Sequence, residues 1–247
     1  MIHKFGRLLG GAAAALVCMM FIFSATVSAL PLDIGFSTTK LSAEERNRFL
    51  GNINFKLIDK EPEWDSISCF DVSDSGHIAV VGESKNGHDS ISVYDKTGNF
   101  AYGYTLNCNG RFGVGWDGDN IAVYFVRENI AASFDRNANN ITCDEIPDTT
   151  ANNWYWSNEV LLKTLRVKNG VRYEMKNTGK VANAISPSYA VLEMTEPDGT
   201  VHIIFDNSKD YDIKLIKTCI MVVAFCIVVI SILTLKIVEN RKKIKQK

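Results

Sequence analysis

The sequence predicts a mainly β protein of antiparallel four-strand units, with one short N-terminal helix and one C-terminal transmembrane helix. Three observations carry this reading. Between residues 64 and 206, short segments of alternating apolar and polar residues are separated by X-Gly pairs suited to tight hairpins. The hairpins recur at intervals of about 40 residues. Residues 218 to 235 carry no charge, and with their apolar flanks they match a hydrocarbon layer of ~30 Å at ~1.5 Å of helix rise per residue.

The 247 residues sum to a net charge of -1, but the charges are sorted along the chain. Residues 1 to 30 carry +2, residues 31 to 214 carry -9, Lys217 adds +1, and residues 236 to 247 carry +5. This excludes a cytosolic globule with an evenly mixed surface, and the acidic middle argues against nucleic acid as a partner.

Taken in order, Lys4 and Arg7 precede an uncharged stretch from Leu8 to Leu30 that closes on Ser24-Ala25-Thr26-Val27-Ser28-Ala29. A basic leader, an apolar run and small residues before a cut describe a signal peptide over residues 1–29, with cleavage after Ala29. The stretch is also long enough to serve as an uncleaved N-terminal anchor. Residues 30–63 form an N-terminal segment with a short helix over 42–50. Ser42 with Glu45 makes a capping box, Glu44 and Glu45 suit the positive helix end, and Gly51 stands where a C-terminal glycine stop belongs. A strand from Ile53 to Ile58 follows.

Residues 64–206 form the β-repeat domain. Phe100, Tyr102, Tyr104 and Leu106 share one face of a period-2 segment. Similar strands fall at 66–72, 77–82, 90–95, 111–116, 120–126, 130–134, 159–166, 171–176, 188–194 and 200–205. The turns between them are Ser75-Gly76, Thr97-Gly98, Asp117-Gly118, Asn169-Gly170, Thr178-Gly179 and Asp198-Gly199. Phe70-Asp71-Val72 leading to Ile78-Ala79-Val80 recurs as Phe112-Gly113-Val114 leading to Ile121-Ala122-Val123, and Tyr94-Asp95 recurs as Phe134-Asp135. A third unit starts at Trp154 and a fourth covers Tyr189 to Phe205.

On these repeats the region resembles β-propeller blades. The resemblance implies an open or partial β-propeller-like array, or a stacked-sheet solenoid, because about three and a half units fall short of the 4 to 8 blades of closed propellers. A β-sandwich is the alternative. The Gly-His and Trp-Asp marks of WD40 blades are missing, so that subfamily's peptide-binding role does not carry over. The layout is similar to that of small single-pass membrane proteins of bacterial origin.

Residues 207–215 read as a juxtamembrane linker and residues 216–237 as the transmembrane helix, apolar all round and flanked by Lys217 and Lys236. Residues 238–247 form a basic tail. Arg241, Lys242, Lys243 and Lys245 keep it cytoplasmic under the positive-inside rule, so the β-repeat domain is extracytoplasmic on a single-pass protein of the cell membrane. The same four side chains are candidates for contact with lipid head groups.

Candidate chemistry is sparse. Cys69, Cys108 and Cys143 fall in or beside strands and read as reduced, buried thiols, although one bridge among them is allowed. No Cys/His spacing suits zinc, and no cofactor is expected. Asp135-Arg136-Asn137-Ala138-Asn139 opens like a calcium loop, but Asn140 stands at its sixth position and Ile146 at its twelfth, so a plain turn is the better reading. Asn140-Ile141-Thr142 is a glycosylation sequon. Trp154, Tyr155 and Trp156 concentrate aromatic surface and are the candidate contacts to a glycan or protein, although on a strand Trp154 and Trp156 would share one face and could fill a core. His77, His88 and His202 read as solvated, and no residue is assigned a catalytic role.

The expected function is a membrane-tethered extracytoplasmic β-repeat module that binds a protein or glycan at the cell surface, or serves as an accessory subunit of a membrane complex. The alternatives are an envelope-glycan hydrolase using turn carboxylates, and a single-pass sensor acting through a partner helix at the Cys219 and Cys226 face.

Overall fold

A computed structural model describes residues 35–85, 87–177 and 188–245. The leader at 1–29, Cys18 and the Thr178-Gly179 turn lie outside the described residues.

The N-terminal segment supplies β1 (Thr39–Lys40), α1 (Ala43–Ile53) and β2 (Lys56–Ile58). The capping box closes α1: Ser42 Oγ accepts from the Glu45 amide at 3.2 Å, and Glu45 Oε2 accepts from the Ser42 amide at 3.2 Å. Gly51 does not end the helix. The chain stays helical to Ile53 and turns at Asn54, whose φ of 47° is the left-handed conformation that asparagine tolerates. The strand expected from Ile53 is therefore only Lys56–Ile58.

Three antiparallel sheets follow. The first is the meander β3 (Trp64–Val72), β4 (Ile78–Ser84), β5 (Asp89–Tyr94) and β6 (Phe100–Leu106), with β2 added beside β6. The second is β7 (Phe112–Asp117), β8 (Asn120–Phe125), β9 (Ile130–Phe134) and β10 (Asn140–Glu145), with β1 added beside β10. The third is β11 (Leu165–Lys168), β12 (Val171–Lys176), β13 (Val191–Thr195) and β14 (Val201–Asp206). The four-strand meander thus occurs three times, without propeller closure, and the fourth unit expected at Tyr189 to Phe205 is the second half of the third sheet.

The segment around Trp154 departs furthest from expectation. Residues 159–166 are not a strand. Thr149 Oγ1 accepts from the Asn152 amide at 3.2 Å and caps α2 (Thr150–Tyr155), which runs on as a π-helical segment, Trp156–Leu161. Val160 is buried, and a Cβ on Gly113 of β7 would fall 2.4 Å from Val160 Cγ1, so this helical turn nests on bare backbone. A short apolar run such as Val160-Leu161-Leu162 suits either helix or strand by period. The third sheet therefore begins at Leu165.

The first sheet is the middle layer. Cys69, Ala79, Val81, Ile91, Val93 and Tyr104 join a core with Val114, Ile121, Val123 and Phe134 of the second sheet. Ile67, Phe70, Ile78, Val80 and Tyr94 join a separate core with Tyr173, Met175, Leu192 and Met194 of the third. The unbroken apolar run Ile78-Ala79-Val80-Val81 follows from burial on both faces.

One turn recurs. Asp95 Oδ1 accepts from the amides of Thr97 and Asn99, and Asp135 Oδ1 accepts from the amides of Asn137 and Asn139. Gly98 takes φ 84° in the first copy, and Ala138 takes φ 66° at the same position in the second.

The chain ends in α3 (Ser208–Lys245), one helix long and apolar enough to cross a membrane. Residues 208–215, expected in a linker, form its first turns.

Candidate functional site

The three sheets meet where the ends of β3 and β7 approach the start of β11. Arg166 of β11 reaches across to β3, where its Nε donates to the Phe70 carbonyl at 2.8 Å and lies 3.2 Å from Asp71 Oδ1. Its Nη2 donates to the Glu159 carbonyl at 2.9 Å, and Trp116 Nε1 of β7 donates to the Asp71 carbonyl at 3.3 Å. Burial holds the Asp71 carboxyl above its ordinary range even though Arg166 acts to lower it. This junction is structural, because each group is consumed by another element.

At the opposite end of β3 a cleft of about 680 Å³ opens between the first two sheets and the π-helical segment. Its polar lining includes Ser66, Ser68, Asp89, Arg111 and Ser157, and Phe112, Leu162 and Tyr189 add apolar surface. Ser68 Oγ donates to the Val81 carbonyl at 3.3 Å, and Asp89 Oδ2 accepts from the Cys108 amide at 3.0 Å. Burial raises the Asp89 carboxyl. Arg111 is exposed and has no carboxylate partner among the described residues. Periodicity gave no sign of this cleft, since its residues come from six segments spread between Ser66 and Tyr189.

The cleft shares β3 with the anchor of α3. Asn207 Nδ2 donates to the Trp64 and Asp65 carbonyls at 3.1 and 2.9 Å. Lys214 Nζ lies 2.7 Å from Asp65 Oδ2, and Lys85 Nζ lies 2.9 Å from Asp210 Oδ2. The Asn207 amide also donates to the Ala190 carbonyl at 2.8 Å, while Tyr189 exchanges backbone hydrogen bonds with Ile67 at 2.7 and 2.8 Å. The cleft wall at Tyr189 is thereby strung between the start of α3 and β3.

The aromatic triplet does not form one platform. Tyr155 packs edge-on against Phe36 at 4.7 Å, and Trp156 lies 5.9 Å from Phe36 and 6.2 Å from Tyr124, all ring to ring. Trp154 alone points outward, 59% exposed. They sit on a helix, so Trp154 and Trp156 do not share the strand face expected of them.

The turn carboxylates act as backbone caps. Hydrogen bonds from Thr97, Asn139 and Thr200 hold Asp95, Asp135 and Asp198 below the usual carboxylate range, the reverse of what a general acid needs. No group of three or more His, Cys, Asp or Glu among the described residues is placed to hold a metal. Cys69, Cys108 and Cys143 are free, and burial pushes each thiol up to about 11. Asn140 of the sequon spends its Nδ2 on the Ser133 and Thr142 carbonyls and its Oδ1 on Arg46. Arg241, Lys242, Lys243 and Lys245 fall on the last turns of α3. The chain matches no protein-family model, no curated protein and no solved structure.

Proposed function

We propose that this chain is a membrane-tethered extracytoplasmic binding module, whose three sheets are units of an open, propeller-like array. In this reading α3 crosses the cell membrane once, the sheets lie outside and residues 238–247 lie in the cytoplasm beside anionic lipid. The basic residues after the apolar run support that orientation. A leader over 1–29, cleaved or kept as an anchor, serves the same export.

The observation that carries the proposal is a shared strand. Ser66 and Ser68 of β3 line the cleft, and Asp65 of the same strand takes the salt bridge from Lys214 of α3. A ligand in the cleft is therefore held at a set position relative to the bilayer. Serine hydroxyls, one carboxylate, one guanidinium and the Tyr189 and Phe112 rings make up a hydrogen-bonding and stacking set suited to a glycan or an extended protein segment. Binding of this kind also serves an accessory subunit, which needs recognition and no chemistry.

The test places a photoreactive amino acid at Leu162, a 68% exposed residue of the cleft mouth, and separately at Lys96 in the turn at the other end of the first sheet. Illumination of the full chain in its own membranes yields an adduct from position 162 and none from position 96. No adduct at 162, or equal adducts at both, contradicts the proposal.

A further inference from the structure

The cleft and the membrane anchor lie at the same end of the first sheet. Because β3 to β6 alternate in direction, the start of β3, the β4–β5 turn and the start of β5 share one end, while the turns at 73–77 and 95–99 share the other. The anchor contacts at Trp64, Asp65 and Lys85 mark the first end. So do the cleft residues Ser66, Gly82 and Asp89, and Arg111 and Phe112 bring the start of β7 to it.

Height above the bilayer follows from element geometry. Lys214 stands four residues before Thr218, where the uncharged run begins, which is ~6 Å of helix rise. Ser66 and Ser68 lie ~3 and ~10 Å beyond Asp65 along β3 at ~3.3 Å per residue. The head-group layer on each side of a bilayer is only ~5 to 7 Å thick. Whatever the tilt of β3, the cleft therefore opens within roughly 20 Å of the start of the apolar run, within reach of a head that rises from the surface.

We propose that the cleft binds the glycan head of a membrane lipid, with Ser66, Ser68, Ser157 and Asp89 meeting sugar hydroxyls, Tyr189 and Phe112 meeting a ring face, and Arg111 meeting an acidic substituent. This rests on the binding-module reading and names its ligand. A bare phosphate head stays within the head-group layer and calls for several cations, whereas the cleft offers one guanidinium among hydroxyls that both donate and accept. The Leu161 and Leu162 side chains give the mouth an apolar edge.

The experiment uses the full chain in phosphatidylcholine nanodiscs containing a minor fraction of a disaccharide-headed diacylglycerol with a diazirine on the sugar. Labelled peptides are mapped by mass spectrometry. The expected result is labelling within residues 66–89 and 109–112, reduced about tenfold by Arg111→Glu and by Ser157→Trp, the loss of one charge-assisted hydrogen bond or of the space itself. Both substituted residues are exposed, so thermal unfolding stays unchanged. Labelling confined to α3, or indifferent to both variants, overturns the inference. Free disaccharide that competes as well as the lipid-linked form overturns the lipid source. If glycolipid labelling fails while the adduct at position 162 persists, the binding module stands and this inference falls.

Discussion

Arg166 Nε lies 3.2 Å from Asp71 Oδ1 and joins the third sheet to the first, although residues 72 to 165, with the whole second sheet among them, intervene in the chain. The ion pair is mostly buried, with side-chain exposures of 15% and 23%. Burial outweighs the attraction at Asp71, whose carboxyl is raised. Its folded state thus holds the proton more tightly than its unfolded state, and its contribution to stability grows as pH falls from neutral through the raised value toward the ordinary one. We expect Asp71→Asn to change stability by about 1 kcal/mol or less at pH 7 and to abolish that pH increment. Arg166→Ala, which strips two backbone carbonyls and leaves the Asp71 charge uncompensated, should cost about 2 to 4 kcal/mol. Denaturant unfolding of the full chain in detergent, followed by tryptophan fluorescence from pH 7 down to the ordinary aspartate value of 3.8, measures both.

The repeated hairpin turn makes a prediction of opposite sign at two sites. Ala138 holds a positive φ that costs an L-residue about 1 kcal/mol or more, and its counterpart in the first sheet is Gly98. Ala138→Gly should stabilise by about 0.5 to 1 kcal/mol and Gly98→Ala should destabilise by at least as much. Paired melting curves decide it, and a destabilised Ala138→Gly would contradict the equivalence of the turns.

Thiol reactivity tests the buried faces. With each thiol raised to about 11, roughly one molecule in a thousand carries a given thiolate at pH 8. Alkylation of the half-exposed Cys108 should be slow and accelerate about tenfold per pH unit between 8 and 10, while Cys69 and Cys143 react only on unfolding. Timed iodoacetamide labelling with peptide mass spectrometry reads all three.

The junction of α3 with the first sheet rests on unequal contacts. The two ion pairs at Lys214 and Lys85 are partly exposed and screened by solvent, so each contributes little. Asn207, which donates to two carbonyls from one amide, should matter more. Spin labels on the first sheet and on α3 should give a narrow distance distribution in the native chain, slightly broader for Lys214→Glu and markedly broader for Asn207→Ala. Equal widths in all three would show that Asn207 does not hold the helix.

Local pattern made much of the fold legible. Strands such as Phe100–Leu106 and Val171–Lys176 fall where alternation placed them, because each faces a core on a regular period, and Ile130–Phe134 falls in its expected place although all five residues are buried. The Ser42 and Glu45 box was readable because capping is chemistry between residues three apart. Trp156–Leu161 was not, since its helical form depends on Gly113 of a distant strand leaving room for Val160. The strand β10 was also missed: only Ile141 and Cys143 are apolar in Asn140–Glu145, too short an alternation to signal a strand. The order of layers, with the first sheet in the middle, depends on Arg166 crossing to Asp71, which no local period encodes. The cleft was invisible for the same reason, and the aromatic triplet drew attention to side chains that mostly stabilise the core.

In the proposed orientation the cleft end of the body faces the bilayer from a single tether. The most direct measurement is energy transfer from a dye at Arg111 or, in a separate sample, at Thr97, to acceptors on the lipid head groups of a nanodisc holding the full chain. Transfer is predicted to be strong at Arg111 and weak at Thr97, which lie at opposite ends of the sheets. Equal transfer from both, or stronger transfer from Thr97, would contradict the account.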